Sequence, residues 1–368
     1  MDVTSYIVNP SFEDGTTGWE NDGLFTQTNS VFPGKAGNTY VERWVNIGSQ
    51  IPDVAISQTL SQVPNGKYRL GAAVGNIQQT GANSTVNAGE KQTGVVLYAG
   101  FYETPVDTMK LQKDLYFTVV DGLVTIGLRA ENATGNWLCL DNFVLHYLGE
   151  NSAEDYAAYL QRYSEVVRAE LQERPVQASV RQVAEAALES ADGAIGGEPL
   201  DMTALQEAKA ALDEAVAAVE ASAALYASLA GAMDYAVQVA GWYADDEAKH
   251  AKMQEALQAA QAAMDNAGLT DEEIQAAEAD LRTVTSEVDK KIYTAQWSMG
   301  NVNDPNNNYY IGRTRQSKNW ILFWEKGYGE NPKAFTCGSH TIDVDEVLRH
   351  AEIAFAFYTD SLKFIHPG

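Results

Sequence analysis

The chain has 368 residues, with 50 Asp and Glu against 25 Lys and Arg and a net charge of −25. This length exceeds what one hydrophobic core usually organises, so about two or three domains are expected. The negative charge disfavours nucleic acid and anionic membranes as partners, and no apolar run approaches the roughly 18–20 residues that span a bilayer, so no membrane span is predicted.

Residues 1–149 carry the signals of an antiparallel β-sandwich. Short runs of clustered or alternating apolar residues recur, among them KYRLGAAVGNIQ (67–78), GVVLYAGFY (94–102) and WLCLDNFVLHYL (137–148). Turn signals such as Pro64-Asn65-Gly66 and Asp121-Gly122 separate them. Many short strands at near-regular spacing predict an all-β jelly-roll sandwich.

The opening stretch IVNPSFEDGTTGWE (7–20) is interpreted as the first strand and first loop of this sandwich. Phe12 and Trp19 would anchor it in the core, and Gly15 and Gly18 would allow a tight loop. The first and last strands of a jelly roll often lie side by side, which would bring two carboxylates together. Like charges in contact are unfavourable unless a cation joins them, and Ca²⁺ prefers oxygen ligands. The candidate ligands are Asn9, Glu13 and Asp141, and the alternative is that both carboxylates are solvated turn residues.

Residues 150–295 change to a helical composition rich in Ala, Glu, Leu and Gln, and 151–295 hold 27 acidic against 10 basic residues. Apolar residues recur every three or four positions, as in the stripe Leu205, Ala208, Leu212, Val216 and Val219. Ser152 with Asp155, and Thr270 with Glu273, match capping boxes at helix starts. An Ala-rich antiparallel helical bundle is predicted, acting as a spacer. A helical binding surface is the alternative.

Residues 296–368 predict a short, partial α+β segment. NWILFWEKGYG (319–329) is typical of a strand followed by a turn, and 342–365 is typical of one amphipathic helix with Val347, Ile353, Ala354 and Phe357 on one face. One strand and one helix make a poor core. We therefore expect this segment to begin a larger domain that continues C-terminal to this chain.

Three motifs resemble a known family. NPSFEDGTTGW (9–19), PNGKYRL (64–70) and AENATGNWLCLDNF (130–143) are similar to carbohydrate-binding modules with the galactose-binding-like jelly roll, found in secreted bacterial glycan-degrading proteins. The resemblance covers residues 3–148 and implies a structural Ca²⁺ held by Glu13 and Asp141. It also implies a secreted, cell-surface or periplasmic protein, although no leader follows Met1. Residues 317–365 resemble the start of a metallopeptidase-like domain of secreted bacterial proteins.

A sugar site would pair an aromatic platform with amide, carboxylate or Arg groups. In NTYVERWVN the period of two places Tyr40, Glu42 and Trp44 on one face. The same logic adds the following candidates: Asn76, Gln78, Arg129 and Trp137. For each aromatic residue, a place in the core is the alternative.

The predicted function is therefore non-catalytic binding of a glycan by a secreted or surface protein. No strong catalytic or metal-binding motif occurs, and most acidic residues lie on predicted helices. One alternative is the N-terminal, non-catalytic part of a larger glycoside hydrolase or metallopeptidase. Another is a structural or protein-interaction module without a sugar ligand.

Overall fold

The computed structural model describes residues 1–289, 300–302, 304–310, 312–329, 332, 336–337 and 340–363. The chain forms two compact units. Met1–Arg174 and Arg181–Ala218 make the first, and Pro175–Val180 and Val219–Gly368 make the second. The first unit contains the whole β region and the first helices, so the predicted candidate binding residues all lie in it.

The β region is a sandwich of two five-stranded antiparallel sheets, which confirms the predicted fold class. One sheet has the order β1-β4-β9-β6-β7 and the other β2-β3-β10-β5-β8. The strands are β1 Glu20–Asp22, β2 Phe25–Gln27, β3 Tyr40–Trp44, β4 Val54–Ser61, β5 Gly66–Ile77, β6 Val95–Ala99, β7 Tyr102–Pro105, β8 Lys110–Val119, β9 Leu123–Ala130 and β10 Trp137–Gly149.

The burial of each strand reflects what covers its two faces. In β4 only alternate residues are buried, as expected for a strand with one solvated face. In β10 the run from Trp137 to Asp141 is buried without interruption. Its inner face packs in the sandwich core, while its outer face joins a second apolar cluster that includes Phe32 and Tyr40. The segment 28–39 therefore covers part of the outer face of this sheet.

The opening stretch is not a strand, so that prediction is wrong. Residues 7–19 form turns, and the first strand begins at Glu20. Asn9 and Phe12 both have φ of 51°, outside the β region. The Asn9 amide donates to the Gly15 carbonyl at 2.9 Å, which stabilises this looped path.

The core anchors in this stretch are confirmed. Phe12 and Trp19 are buried, and Trp19 stacks on Phe143 of β10 with ring centroids 4.7 Å apart. The predicted tight loop is also confirmed, because Gly15 and Gly18 have φ of +60° and +83°. The N-terminus does run beside β10, since the Val3 amide donates to the Leu145 carbonyl at 2.9 Å.

Helices follow the sandwich, as predicted. They are α1 Ala153–Glu173, α2 Ala178–Ile195, α3 Met202–Trp242, α4 Glu247–Met264 and α5 Asp271–Val288. Both predicted capping boxes are present, at Ser152 with Asp155 and at Thr270 with Glu273. Four of the five residues of the predicted stripe on α3 are buried. The exception is Val216, which is half-buried, whereas its neighbour Ala215 is buried.

One helix of the described part, α3, is long and apolar enough to cross a membrane by length and composition alone. Several of its apolar side chains, such as Leu229 and Val239, are buried in a cluster with residues of α4 and α5.

The C-terminal segment contains short strands and one helix. They are β11 Thr314–Gln316, β12 Ile321–Phe323, β13 Thr336–Cys337, β14 His340–Thr341 and α6 Val344–Ala356. The strand expected within 319–329 and the helix expected within 342–365 are confirmed, although residues 364 and 365 lie outside the described part. On α6 the buried residues are Val344 and Leu348, whereas Val347 and Ile353 of the predicted face are exposed.

Candidate functional site

A groove lies on the outer face of the sheet that contains β3 and β10. In their antiparallel pairing Trp137 is opposite Trp44, and Cys139 is opposite Glu42. Directly opposed residues share one face of a sheet. Tyr40, Glu42, Trp44 and Trp137 therefore line the same face, as the period of two predicted for Tyr40, Glu42 and Trp44.

The floor of the groove is built around the Glu42 carboxylate. Its Oε2 accepts hydrogen bonds from the Tyr40 hydroxyl at 2.9 Å and from the Trp137 indole N–H at 2.7 Å. Its Oε1 accepts one from the Gln27 amide at 3.1 Å. Tyr40 and Trp137 are buried, and buried Tyr and Trp need such partners for their polar atoms. Burial, with a smaller contribution from Glu42, raises the pKa of Tyr40, so its hydroxyl stays a proton donor.

The rim of the groove is formed by Trp44, whose side chain is 49% exposed. Its indole N–H donates to Gln79 Oε1 at 2.8 Å, and the same oxygen accepts from the Asn136 amide at 3.1 Å. Gln79 in turn donates to the Ser84 carbonyl at 3.0 Å. The edge of the Trp44 ring is thus fixed while about half of its surface remains available to a ligand.

The groove has a volume of about 290 Å³. Its lining residues are Gln27, Asn29, Val31, Tyr40, Glu42, Trp44, Ile47, Gln79, Ala82, Asn83 and Trp137. It thus combines an exposed aromatic ring, side-chain amides and one fixed carboxylate. Such a set suits a ligand that has both apolar faces and many hydroxyl groups.

Three predicted residues lie outside the groove. Asn76 pairs with Leu138 on the inner face, where its amide donates to the Val106 carbonyl at 3.1 Å. Arg129 lies on β9 in the other sheet, where it is ion-paired with Glu103.

Gln78 is the third, and its side chain lies against the backbone of Gly48 and Ser49. The structure therefore does not bring Asn76, Gln78 or Arg129 together with Trp44.

The groove also contains residues that the sequence did not predict. Gln27 and Asn29 come from the edge strand β2 and the segment after it, and Gln79 and Asn83 follow the end of β5. The available signal was the density of amide side chains in FTQTN (25–29) and NIQQTGAN (76–83). Asn29, Gln79 and Asn83 lie beyond the ends of their strands, where sequence parity cannot assign a face.

The two carboxylates of the predicted cation site are wrapped by the backbone of residues 36–39. Asp141 is buried, and its Oδ2 accepts from the Ala36 N–H at 2.6 Å while its Oδ1 accepts from the Asn142 N–H at 2.7 Å. Glu13 Oε1 accepts from the N–H groups of Asn38 and Thr39, each at 2.8 Å.

The pKa values of the two carboxyl groups are shifted in opposite directions. Burial raises the pKa of Asp141 to about 7 despite its two backbone hydrogen bonds, and the negative charge of Glu13 adds to the increase. The backbone hydrogen bond from Thr39 lowers the pKa of the exposed Glu13. Asp141 is thus a buried carboxylate that lacks enough positive charge around it to stay ionised at low cost.

Asn9, the third predicted ligand, is engaged within its own loop. Its side-chain nitrogen donates to the Gly15 carbonyl, and its Oδ1 accepts from the Asp14 N–H at 3.2 Å. Among the residues that the structure describes, no group of three or more His, Cys, Asp or Glu could hold a metal ion. A cation between Glu13 and Asp141 would therefore need further oxygens from carbonyl groups or water.

Comparisons with known proteins concern separate parts of the chain. A family of unknown function, DUF6055, matches residues 284–368. A comparison with curated proteins gave no match. These comparisons give no support to the metallopeptidase resemblance of 317–365.

The solved structures that are similar to part of this chain are distant from it in sequence. The family 61 carbohydrate-binding module TmCBM61, solved with β-1,4-galactotriose, is 20% identical, with a TM-score of 0.30, and the match covers 39% of this chain and 97% of that chain. A family 35 carbohydrate-binding module from Clostridium thermocellum is 12% identical, with a TM-score of 0.25 and coverage of 36% and 94%. An adhesin domain of Lys-gingipain from Porphyromonas gingivalis is 14% identical, with a TM-score of 0.27 and coverage of 38% and 96%.

Proposed function

We propose that residues 1–149 bind a carbohydrate, without catalysis, in the groove at Trp44. The observation that carries this proposal is an indole ring that is half exposed yet held at its N–H by Gln79. An exposed aromatic side chain without such a support would more simply be a surface residue, because scattered exposed apolar residues are normal. Here the ring lines the same groove as the hydrogen-bonded polar groups of Tyr40, Glu42 and Trp137.

The chemistry of the groove matches that of a sugar. The CH face of a pyranose ring is weakly apolar and can stack on Trp44, while its hydroxyl groups can exchange hydrogen bonds with Glu42, Asn29 and Asn83. Hydrogen bonds to a ligand replace hydrogen bonds to water, so each adds only about 0.5–1.5 kcal/mol. We therefore expect weak binding at a single site.

A glycan array with the full chain, followed by calorimetry on the best ligands, tests the proposal. Trp44→Ala should weaken binding at least tenfold. Tyr116→Ala is the matched control, because Tyr116 on β8 is 62% exposed in the same sheet but does not line the groove. Equal binding by the wild type and Trp44→Ala would refute the groove. Absence of binding by the wild type to every glycan of the array would favour a structural or protein-interaction module instead.

We also propose that Glu13 and Asp141 hold a structural Ca²⁺. The support is the buried Asp141 carboxylate and the nearby Glu13 carboxylate that repels it, whose charges a bound cation would neutralise, and the hard oxygen character of the donors. EDTA should then lower the melting temperature of the sandwich, because a ligand bound only to the native state stabilises it. An unchanged melting temperature, in protein shown by elemental analysis to carry the metal beforehand, would contradict the site.

The same proposal places the protein in the cell envelope or outside the cell, where a bacterial protein meets polysaccharides, with the helices after residue 150 as a spacer. Export is tested by protease treatment of intact cells that produce the protein from its own gene. Digestion of the protein by the added protease supports surface exposure. Complete protection from the protease, with the protein recovered in the cytosolic fraction, contradicts it.

A further inference from the structure

We infer that the groove selects neutral glycans and rejects acidic ones; this inference rests on the proposed carbohydrate binding. Among the described residues that line the groove, Glu42 alone carries a charge. The other polar groups are amides and the hydroxyl and indole N–H of aromatic residues. A uronate or sulfate in the groove would therefore meet a carboxylate and no cation.

Glu42 is part of the floor and cannot move away. Three donors hold it, from Tyr40, Trp137 and Gln27. Oε2 accepts two hydrogen bonds and Oε1 one, which leaves Oε1 able to accept one more. A sugar hydroxyl can donate to that oxygen, whereas a ligand carboxylate can only repel it. Placing a second anion beside a fixed one in a partly desolvated groove is unfavourable.

The basic residues nearest in sequence are engaged elsewhere. The Lys35 ammonium donates to the carbonyls of Thr28 at 2.9 Å and Asn38 at 3.2 Å. Arg43 has the opposite parity to Glu42 on β3 and donates to the Gly23 carbonyl at 3.2 Å. Neither residue lines the groove. An acidic sugar would therefore find no ready counter-charge.

The long-range field acts in the same direction. Residues 1–150 contain 15 Asp and Glu and 8 Lys and Arg, and the whole chain has a net charge of −25. A polyanionic glycan is thus repelled before it reaches the groove. This part of the discrimination falls as salt is added, because exposed charges beyond about 8–10 Å are screened at 0.1–0.15 M ionic strength.

The test compares ligands that differ only in the group at C6 of the sugar, one of which is charged. The full chain is titrated with neutral oligosaccharides and with the corresponding uronides, in which C6 is oxidised to a carboxylate, and with the methyl esters of those uronides. At low salt we expect the free acid to bind at least tenfold more weakly than its neutral counterpart, and the methyl ester to recover most of the loss. The gap should narrow in 0.5 M NaCl.

Protein variants locate the effect. Glu42→Gln should narrow the gap between neutral and acidic ligands, whereas Glu103→Gln, on the opposite sheet, should leave it unchanged. If Glu42→Gln does not fold, the ester series on the wild type still decides. Trp44-dependent binding of a uronide as tight as its neutral counterpart overturns the inference and leaves carbohydrate binding standing. Absence of binding to every member of the series removes both.

Discussion

The burial of Asp141 leads to a prediction about how stability depends on pH. The carboxylate is buried, its pKa is raised to about 7 from an ordinary 3.8, and burial is the largest cause. The folded state therefore binds the proton of Asp141 more tightly than the unfolded chain does. In metal-free protein this group stabilises the fold fully below about pH 4, and the contribution is lost as the pH rises from there through 7.

The magnitude follows from the shift. Each pKa unit corresponds to about 1.4 kcal/mol, so a difference of about three units corresponds to at most about 4 kcal/mol lost between pH 4 and pH 8. Asp141→Asn removes the titration. The variant also loses one of the two accepted hydrogen bonds, at about 1 kcal/mol, because an amide has only one acceptor oxygen. That cost is the same at every pH. The change with pH in the difference in unfolding free energy between wild type and variant therefore reports the titration of Asp141 alone.

The assay is urea unfolding of the full chain in EDTA between pH 4 and pH 8. A brief hydrogen-exchange label at one fixed pH, with mass spectrometry of peptides from residues 1–149, reports the sandwich alone. Titrating groups that do not interact with Asp141 are common to both proteins and cancel in the difference. We expect wild type minus variant to fall by several kcal/mol as the pH rises. A difference that stays flat would refute the argument that Asp141 is a destabilised buried carboxylate. In a parallel series without EDTA, added Ca²⁺ should make the unfolding free energy of the wild type rise with pH, since the ion favours the ionised form of Asp141.

Two further predictions concern the groove and the loop beside it. Glu42→Ala should cost about 1–3 kcal/mol of unfolding free energy in urea, because the buried Trp137 N–H loses its partner, while Glu42→Gln, which keeps an acceptor, should cost less; equal costs would contradict this account of the floor. Gly37→Ala should destabilise more than Gly48→Ala, by melting temperature. Both have φ above +80°, but a Cβ at Gly37 would lie 2.6 Å from the Glu13 carboxylate whereas one at Gly48 meets nothing within 4 Å. Equal losses would mean that Glu13 moves aside freely.

Side-chain parity predicted the part of the groove that lies within single strands. Tyr40, Glu42 and Trp44 belong to one regular strand without a bulge, so the period of two holds across them. The same rule applied to Asn76 gave the wrong partner, because parity within β5 does not say which face of β5 corresponds to which face of β3. That relation is set by the register with β10, where Asn76 is opposite Leu138.

Residues that only three-dimensional topology brings together could not be predicted from the sequence. Arg129 has suitable chemistry, but its strand belongs to the other sheet. Gln79 reaches Trp44 from a turn beyond the end of β5, where no periodicity applies. The opening stretch does not form a strand because the Asn9 side chain makes hydrogen bonds with the backbone of Asp14 and Gly15, which compete with strand pairing. The apolar residues of the stretch do not reveal this competition.

The groove and the carboxylate pair share one segment of chain. Within residues 28–39, Asn29 and Val31 line the groove. Further along the same segment, the N–H groups of Ala36 and Thr39 donate to Asp141 and Glu13. Phe32, between the two sites, packs on Tyr40 with ring centroids 5.3 Å apart, so the segment is fixed against the floor of the groove. Packed side chains transmit displacement because the interior has little free volume. A change in the charge between Glu13 and Asp141, by a proton or by a cation, therefore acts on the same segment that a ligand at Trp44 would contact, and the two sites are expected to influence each other's occupancy.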